Sequence, residues 1–401
     1  MTLALNTIRA PLPASSRNTR TVLELLEGLE GGSLQLDLPD GQRHRFGHGP
    51  VVAALRVHDE ALFSRVLAHG DIGLAESYIE GEWDAGEGYS LADVLTLLAR
   101  NHAALRRAVY GSWPRLLMAR LRHLLNRNSR KGSQRNIMAH YDLGNEFYRQ
   151  WLDGTMSYSS ALFLPGQDAT LESAQRAKYR RILDRLHGGQ PTGAHVLEIG
   201  CGWGGFAEMA VEDGLAVTGL TLSPAQLEFA RQRVPQADLR LQDYRDTRER
   251  YDHIVSIEMI EAVGERWWPH YFRTLSQSLK PGGKAVVQAI TLRDDLFSAY
   301  RKSTDFIQQH VFPGGMLPSR QVFERQARRQ GLKVSDAHAF GLDYARTLAE
   351  WRERFEARWH DIAPLGFDAP FRRLWRFYLA YCEAGFQAGT TDVIQFELQH
   401  A

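Results

Sequence analysis

Cysteine is scarce in this chain: Cys201 and Cys382 are the two in 401 residues, too few for a disulfide framework, so a reducing compartment is expected. Long apolar runs are missing too. No stretch approaches the ~20 consecutive apolar residues that a membrane span needs, and residues 1–9 lack the apolar core of a secretion signal, which points to the cytoplasm. Between Asp93 and Asp142 there is no acidic residue, although Arg100, Arg107, Arg115, Arg122, Lys131 and Arg135 fall there with other bases. The formal net charge of +1 conceals this local imbalance. Leu105, Trp113, Leu117, Leu121 and Leu125 are interleaved with the bases in a basic amphipathic pattern. Such a stretch suits an anionic membrane surface through residues 100–135, a helix packed on its own domain, or nucleic acid. No nucleic-acid motif accompanies the charge, so nucleic acid is not expected, and neither is a metal.

What the chain has in plenty is order around residues 195–205. His195 to Ile199 reads as a buried parallel strand and breaks at once into Gly200, Gly202, Gly204 and Gly205 before a helical pattern. Glycines there let a backbone approach a ligand closely. Gly200, Gly202 and Gly205 also spell the dinucleotide pattern, which expects an acid about 20 residues on to hold a ribose. The second strand, Leu215 to Leu220, ends instead in Thr221-Leu222-Ser223-Pro224, with no acid. Glu198 just before the glycines, and Gln242-Asp243-Tyr244 after a third strand at Asp238 to Leu241, resemble the methionine-facing and adenine-facing acids of S-adenosylmethionine-dependent methyltransferases. S-adenosylmethionine is therefore the expected cofactor.

The elements around this turn alternate strand and helix, which predicts an α/β fold with a doubly wound, mostly parallel methyltransferase sheet. Further strands are read at Tyr251 to Ile257, Lys284 to Ile290 and Leu332 to His338, with Lys280 to Gly283 as a turn. The last strand, Thr391 to Leu398, is expected to close the sheet antiparallel. Insertions at 291–318 and 340–390 form helical caps over the carboxyl ends of the strands. Their aromatic residues, such as Trp351 and Phe355 spaced on one helix face, read as a packed core or as a slot for a long chain. Cys382 reads as a packed small residue. Residues 1–98 are expected to form a small α+β domain, frayed over 1–20 and holding a hairpin through Pro39-Asp40-Gly41. Residues 99–135 are the basic connector, and 136–401 the methyltransferase domain.

His140 to Tyr148, Met156 to Phe163, Phe312 to Ser319 and Asp343 to Leu348 join the glycine turn in a pattern that resembles the cyclopropane fatty acid synthase family, which includes the mycolic acid cyclopropane synthases. The resemblance implies S-adenosylmethionine-dependent alkylation of a cis double bond in an unsaturated phospholipid by a protein peripheral on the inner face of the membrane. An isolated alkene is a poor nucleophile, so such a site must hold the reactants close, dry and beside electron-rich rings that stabilise a carbocation. The resemblance assigns Tyr141, Tyr158, Ser159, Gly200, Gly202, Leu220, Thr221, Leu222, Gln226, Asp243 and Tyr244 to S-adenosylmethionine. It assigns Glu261, Tyr344 and Ile290 to a bicarbonate base. Two further positions of that pocket depart from the pattern, with Ser160 in place of a cysteine and Gln288 in place of a histidine. Neither replacement titrates near neutral pH. Cyclopropanation is the first reading, and non-cyclising methylation of the same lipids, with or without a partner oxidoreductase, is the alternative. A methyltransferase for a soluble small molecule, a non-catalytic cofactor-binding regulator and a homodimeric state also remain open.

Overall fold

The structure is a computed structural model that describes residues 16–109, 143–166, 169–187 and 193–401. The basic segment from residue 110 and Tyr141 lie outside the described residues. The chain divides into two compact units, residues 1–115 and 116–401.

In the first unit, helix α1 (Arg17–Leu26) precedes strands β1 (Gly32–Asp37), β2 (Arg43–His48) and β3 (Val51–Val57). Helices α2 (Ala61–His69) and α3 (Asp71–Ile79), strand β4 (Trp83–Ala85), and helices α4 (Leu91–Arg100) and α5 (His102–Val109) follow. The sheet order is β2-β1-β3-β4, with β1 and β2 antiparallel across the expected hairpin and β3 parallel to β1. The expectation of a frayed start is corrected from residue 17 onward. Ser16 accepts a hydrogen bond from the Thr19 amide, and Val22, Leu23 and Leu26 bury one face, so the polar residues of α1 are simply its wet side. Helix α3 carries a buried glycine, Gly73. A Cβ at Gly73 would stand 2.2 Å from the Arg65 carbonyl oxygen, so this glycine serves a close helix crossing and not a loop.

Among the described residues of the second unit, α6 (Asn145–Trp151) and α7 (Leu171–His187) come first. Its sheet is built from β5 (His195–Ile199), β6 (Ala216–Thr221), β7 (Asp238–Leu241), β8 (Tyr251–Ile257), β9 (Leu279–Leu292), β10 (Leu332–Ala339) and β11 (Thr391–His400). Helices α8 (Gly205–Glu212), α9 (Pro224–Arg233), α10 (Trp268–Ser278) and α12 (Arg320–Arg329) connect the strands, with α11 (Asp294–Tyr300) after β9. Between β10 and β11 lie α13 (Gly341–Ala357), α14 (Trp359–Ile362) and α15 (Ala369–Gln387). The order is β10-β11-β9-β8-β5-β6-β7; β5 to β9 pair in parallel, and β11 is antiparallel to both neighbours, as expected.

Both faces of this sheet are covered, which is why its strands read as continuous apolar runs. Val196, Val255 and Val286 pack with α7 and α8, whereas Leu197, Ile254 and Val287 pack with α10 and α12 on the other face. The turn expected at Lys280 to Gly283 is a bulge inside β9, where pairing jumps from Tyr251↔Leu279 to His253↔Lys284. Both insertions cap the carboxyl end of β8. Met316 donates its amide to the Glu261 carbonyl at 2.8 Å, and Tyr344 of α13 reaches Glu258. Trp351 and Phe355 are buried on α13, so the helix face is core. Among the described residues no helix is long and apolar enough to cross a membrane.

Candidate active site

Strand β5 delivers the chain into three left-handed glycines, Gly200 (φ 87), Gly202 (φ 51) and Gly204 (φ 83), before α8 begins. The amides of Gly200 and Cys201 both donate to the Leu220 carbonyl at 2.9 Å, which clamps the turn onto β6. A Cβ at Gly202 would meet nothing within 4 Å, so the turn opens there onto free space. Glu198 is 3 % exposed and its Oε2 has no partner. Burial pushes its carboxyl up to about 8, against the pull of Lys178. Lys178 is itself fully enclosed, is pushed down to about 8 by burial, and donates to Ser159 Oγ at 2.6 Å. A buried acid with an unpartnered oxygen beside an open glycine turn fits the ammonium group at the amino-acid end of S-adenosylmethionine.

The other residues expected around that cofactor line the carboxyl ends of β6 and β7. Thr221 donates to Gln226 Oε1 at 3.1 Å and accepts from the Ser223 amide, which fixes the start of α9; Leu222 is half-buried between them. Asp243 accepts the Arg245 amide and takes its guanidinium through Nε (2.8 Å) and Nη2 (2.5 Å), so this acid is already engaged. Tyr244 is buried with its ring edge-on to Tyr271. Tyr158 is hydrogen-bonded to the Tyr378 hydroxyl at 2.7 Å, and its ring lies 5.3–5.5 Å from those of Tyr148, Trp151 and Trp351.

The second group of expected residues assembles around an acid that sequence reasoning passed over. Glu258 Oε1 accepts from the Ser160 amide (2.9 Å) and from Gln288 Nε2 (2.8 Å), and its Oε2 accepts from the Tyr344 hydroxyl (2.6 Å). Glu261, expected in the same pocket, takes the amide of Ile290, also expected there, at 2.5 Å through Oε1, and its Oε2 has no hydrogen-bond partner. One turn after β8 carries two acids three residues apart, and the first of them bonds the Ser160 amide while the second bonds the Ile290 amide. The signal was present as Glu258-Met259-Ile260-Glu261, but nothing in the string says which acid meets which partner.

The amide of Gln288 is oriented from a distance. Arg181 can only donate, and it binds Gln395 Oε1 at 2.7 Å; Gln395 Nε2 then donates to Gln288 Oε1 at 3.0 Å, which turns Gln288 Nε2 toward Glu258. The Ser160 hydroxyl is spent on the Ala161 carbonyl, so this residue serves the site through its backbone N–H. Helix α13 holds the loop in place, with Thr347 Oγ1 accepting from the Ala161 amide and Asp343 from that of Phe163.

Burial pushes the Glu258 carboxyl up from its ordinary range, while the bond from Tyr344 and the charge of Lys178 pull it back. Glu261 is pushed up to about 8, first by burial and then by the charge of Glu258. Tyr344 is driven well above the usual phenol range, mainly by burial. Bicarbonate does not fit this arrangement. The donors at Ser160, Gln288 and Tyr344 that the resemblance assigns to it are occupied by the chain's own carboxylate.

The mycolic acid cyclopropane synthetase family model matches residues 128–396. The chain is 43% identical over 364 residues to the tuberculostearic acid methyltransferase of Mycobacterium tuberculosis, covering 87% of this chain and 84% of that one. It is 36% identical over 350 residues to the cyclopropane-fatty-acyl-phospholipid synthase of Escherichia coli, with 85% and 86% covered. Among solved structures, the mycolic acid cyclopropane synthase CmaA1 complexed with SAH and CTAB superposes with a TM-score of 0.61 at 31% identity, over 66% of this chain and 98% of that one. A glycine turn fit for S-adenosylmethionine, an aromatic cap and these similarities lead to one assignment: the chain belongs to the mycolic acid cyclopropane synthetase family of S-adenosylmethionine-dependent lipid methyltransferases.

Proposed function

We infer that this enzyme methylates the cis double bond of unsaturated acyl chains in membrane phospholipids and releases a methylated alkene, not a cyclopropane. The observation that carries the choice of product is the 43% identity over 364 residues to a tuberculostearic acid methyltransferase; the groups that would hold the family's bicarbonate are spent on Glu258, so this chain departs from the family at the site of ring closure. That likeness extends across 87% of the chain and 84% of the relative. A phospholipid substrate rests on the likeness to the Escherichia coli synthase.

When bound, S-adenosylmethionine supplies an electrophilic methyl group. The glycine turn from Gly200 to Gly204, Glu198, Tyr158, Ser159, Leu220, Thr221, Leu222, Gln226, Asp243 and Tyr244 would hold it; Tyr141, which the resemblance assigns to the same cofactor, lies outside the described residues. Methylation leaves a cation on the acyl chain. The rings of Tyr158, Trp351 and Tyr344 stand together beside Glu258, where they exclude water and face a developing positive charge with π-electrons. A saturated, methyl-branched chain would require a hydride from a partner oxidoreductase. The basic segment 100–135 brings the enzyme to the inner face of an anionic membrane.

Proton NMR of phospholipids recovered after incubation with S-adenosylmethionine and monounsaturated vesicles tests this reading. A mass measurement does not separate the products, since cyclopropane and methylated alkene are isomers. Olefinic signals of a methylated chain are expected, and upfield ring protons would make the protein a cyclopropane synthase instead.

A further inference from the structure

Glu258 is held in a conformation that side chains avoid. Its φ is +49°, and among the described non-glycine residues only Met156 shares a positive φ. Such a backbone is strained and persists where the surroundings over-determine it, commonly at functional sites. Here the surroundings are three donors, one on each of three separate segments: the Ser160 loop, β9 and α13. Ser160 and Gln288 are fully enclosed, yet Glu258 keeps part of its surface accessible. Ser160 and Gln288 do not titrate, and burial drives Tyr344 well above the usual phenol range and Glu261 up to about 8. Within this cluster, Glu258 is the acid on which all three donors converge.

We propose that the Glu258 carboxylate is the general base of this enzyme, a built-in replacement for a bound bicarbonate. The inference rests on methyl transfer to an alkene and holds for either isomeric product. A C–H bond beside the cationic carbon, or one of the new methyl group, breaks. Its electron pair fills the empty orbital, and the proton passes to a Glu258 oxygen. On product release that proton goes to water, which balances the positive charge lost from the sulfonium.

The test compares wild type and Glu258→Gly in bicarbonate-free buffer with and without added bicarbonate, with S-adenosylmethionine affinity measured by calorimetry. Glycine tolerates the positive φ, so this variant removes the carboxylate together with the strain. Wild-type turnover should not depend on bicarbonate. The variant should lose about 100-fold or more while binding S-adenosylmethionine within roughly threefold of wild type, and added bicarbonate should restore at least about tenfold. A bicarbonate requirement in the wild type, an active variant without bicarbonate, or an inactive variant that binds S-adenosylmethionine but is not rescued would each overturn the proposal. Glu258→Gln, of equal size, is the second variant: near-wild-type turnover overturns the proposal, and a comparable loss with retained affinity supports it. Loss of S-adenosylmethionine binding in both variants would assign Glu258 to the scaffold and overturn it as well. Product NMR on the wild type is read separately, so failure of the base and failure of the non-cyclising reading are distinguishable.

Discussion

Glu261 shows what burial does to a carboxyl that finds one donor instead of three. With one oxygen on the Ile290 amide and the other unpartnered, it is pushed up to about 8. The folded state then keeps a proton that the unfolded chain releases in the ordinary carboxylate range. This contribution is therefore fully favourable below that range and is lost as the pH rises toward about 8. Glu261→Gln keeps the shape and the acceptor but removes the titration. Its urea midpoint relative to wild type should rise between pH 5 and pH 8, and a constant difference would mean that Glu261 is ionised throughout. Gly202 is constrained by conformation and by the open space above it. Gly202→Ala should cost about 1–2 kcal/mol of stability through its positive φ. It should also weaken S-adenosylmethionine binding in calorimetry, because the new methyl group enters that space.

At the scale of elements, β11 and α13 act on the site without belonging to its glycine turn. Strand β11 brings Gln395 beside Gln288, and α7 brings Arg181 to Gln395, so two packed elements set the direction of one amide. Gln395→Leu would leave Gln288 Oε1 buried and unpaired, at a cost of about 1–3 kcal/mol in urea unfolding. Turnover should fall with S-adenosylmethionine affinity preserved, because Gln288 is then free to rotate; unchanged turnover would show that the amide is oriented by something else. Helix α13 carries Tyr344, Thr347 and Trp351 on one face, joining Glu258, the Ser160 loop and the aromatic cap. Trp351→Ala removes a fully buried ring that packs on Trp151, Tyr158 and Tyr344. It should destabilise the fold by about 3–5 kcal/mol in urea unfolding.

At the scale of the whole molecule, the described residues of the site lie in the second unit, and the first unit forms a sheet and a core of its own. The chain's near-zero net charge hides a basic stretch with no acid, and surface attraction of that kind is screened by salt. The full chain should float with anionic vesicles at about 0.05 M salt and be released at about 0.5 M, while neutral vesicles should retain little of it. Flotation that ignores both salt and lipid charge would remove the basic segment from membrane binding.

Sequence alone determined the parallel sheet, its antiparallel last strand and the glycine turn. Each follows from local rules: apolar runs make buried strands, and a left-handed turn needs glycine. The identities of Ser160, Gln288, Tyr344 and Glu261 were also legible, as departures from or matches to a pattern. What only the tertiary structure decided is which acid these residues serve. Glu258 and Glu261 are three residues apart on an irregular turn, and their side chains go to different partners because the Ser160 loop, β9 and α13 converge on the first. The helix at 17–26 and the strand at 51–57 were hidden for a related reason: the value of a polar face or a short apolar run depends on what packs behind it. Hydrogen bonds between residues 86 to 107 positions apart are a property of the packed chain, and they turned a conspicuous pair of acids into one carboxyl held by three donors and one neighbour with an unpartnered oxygen.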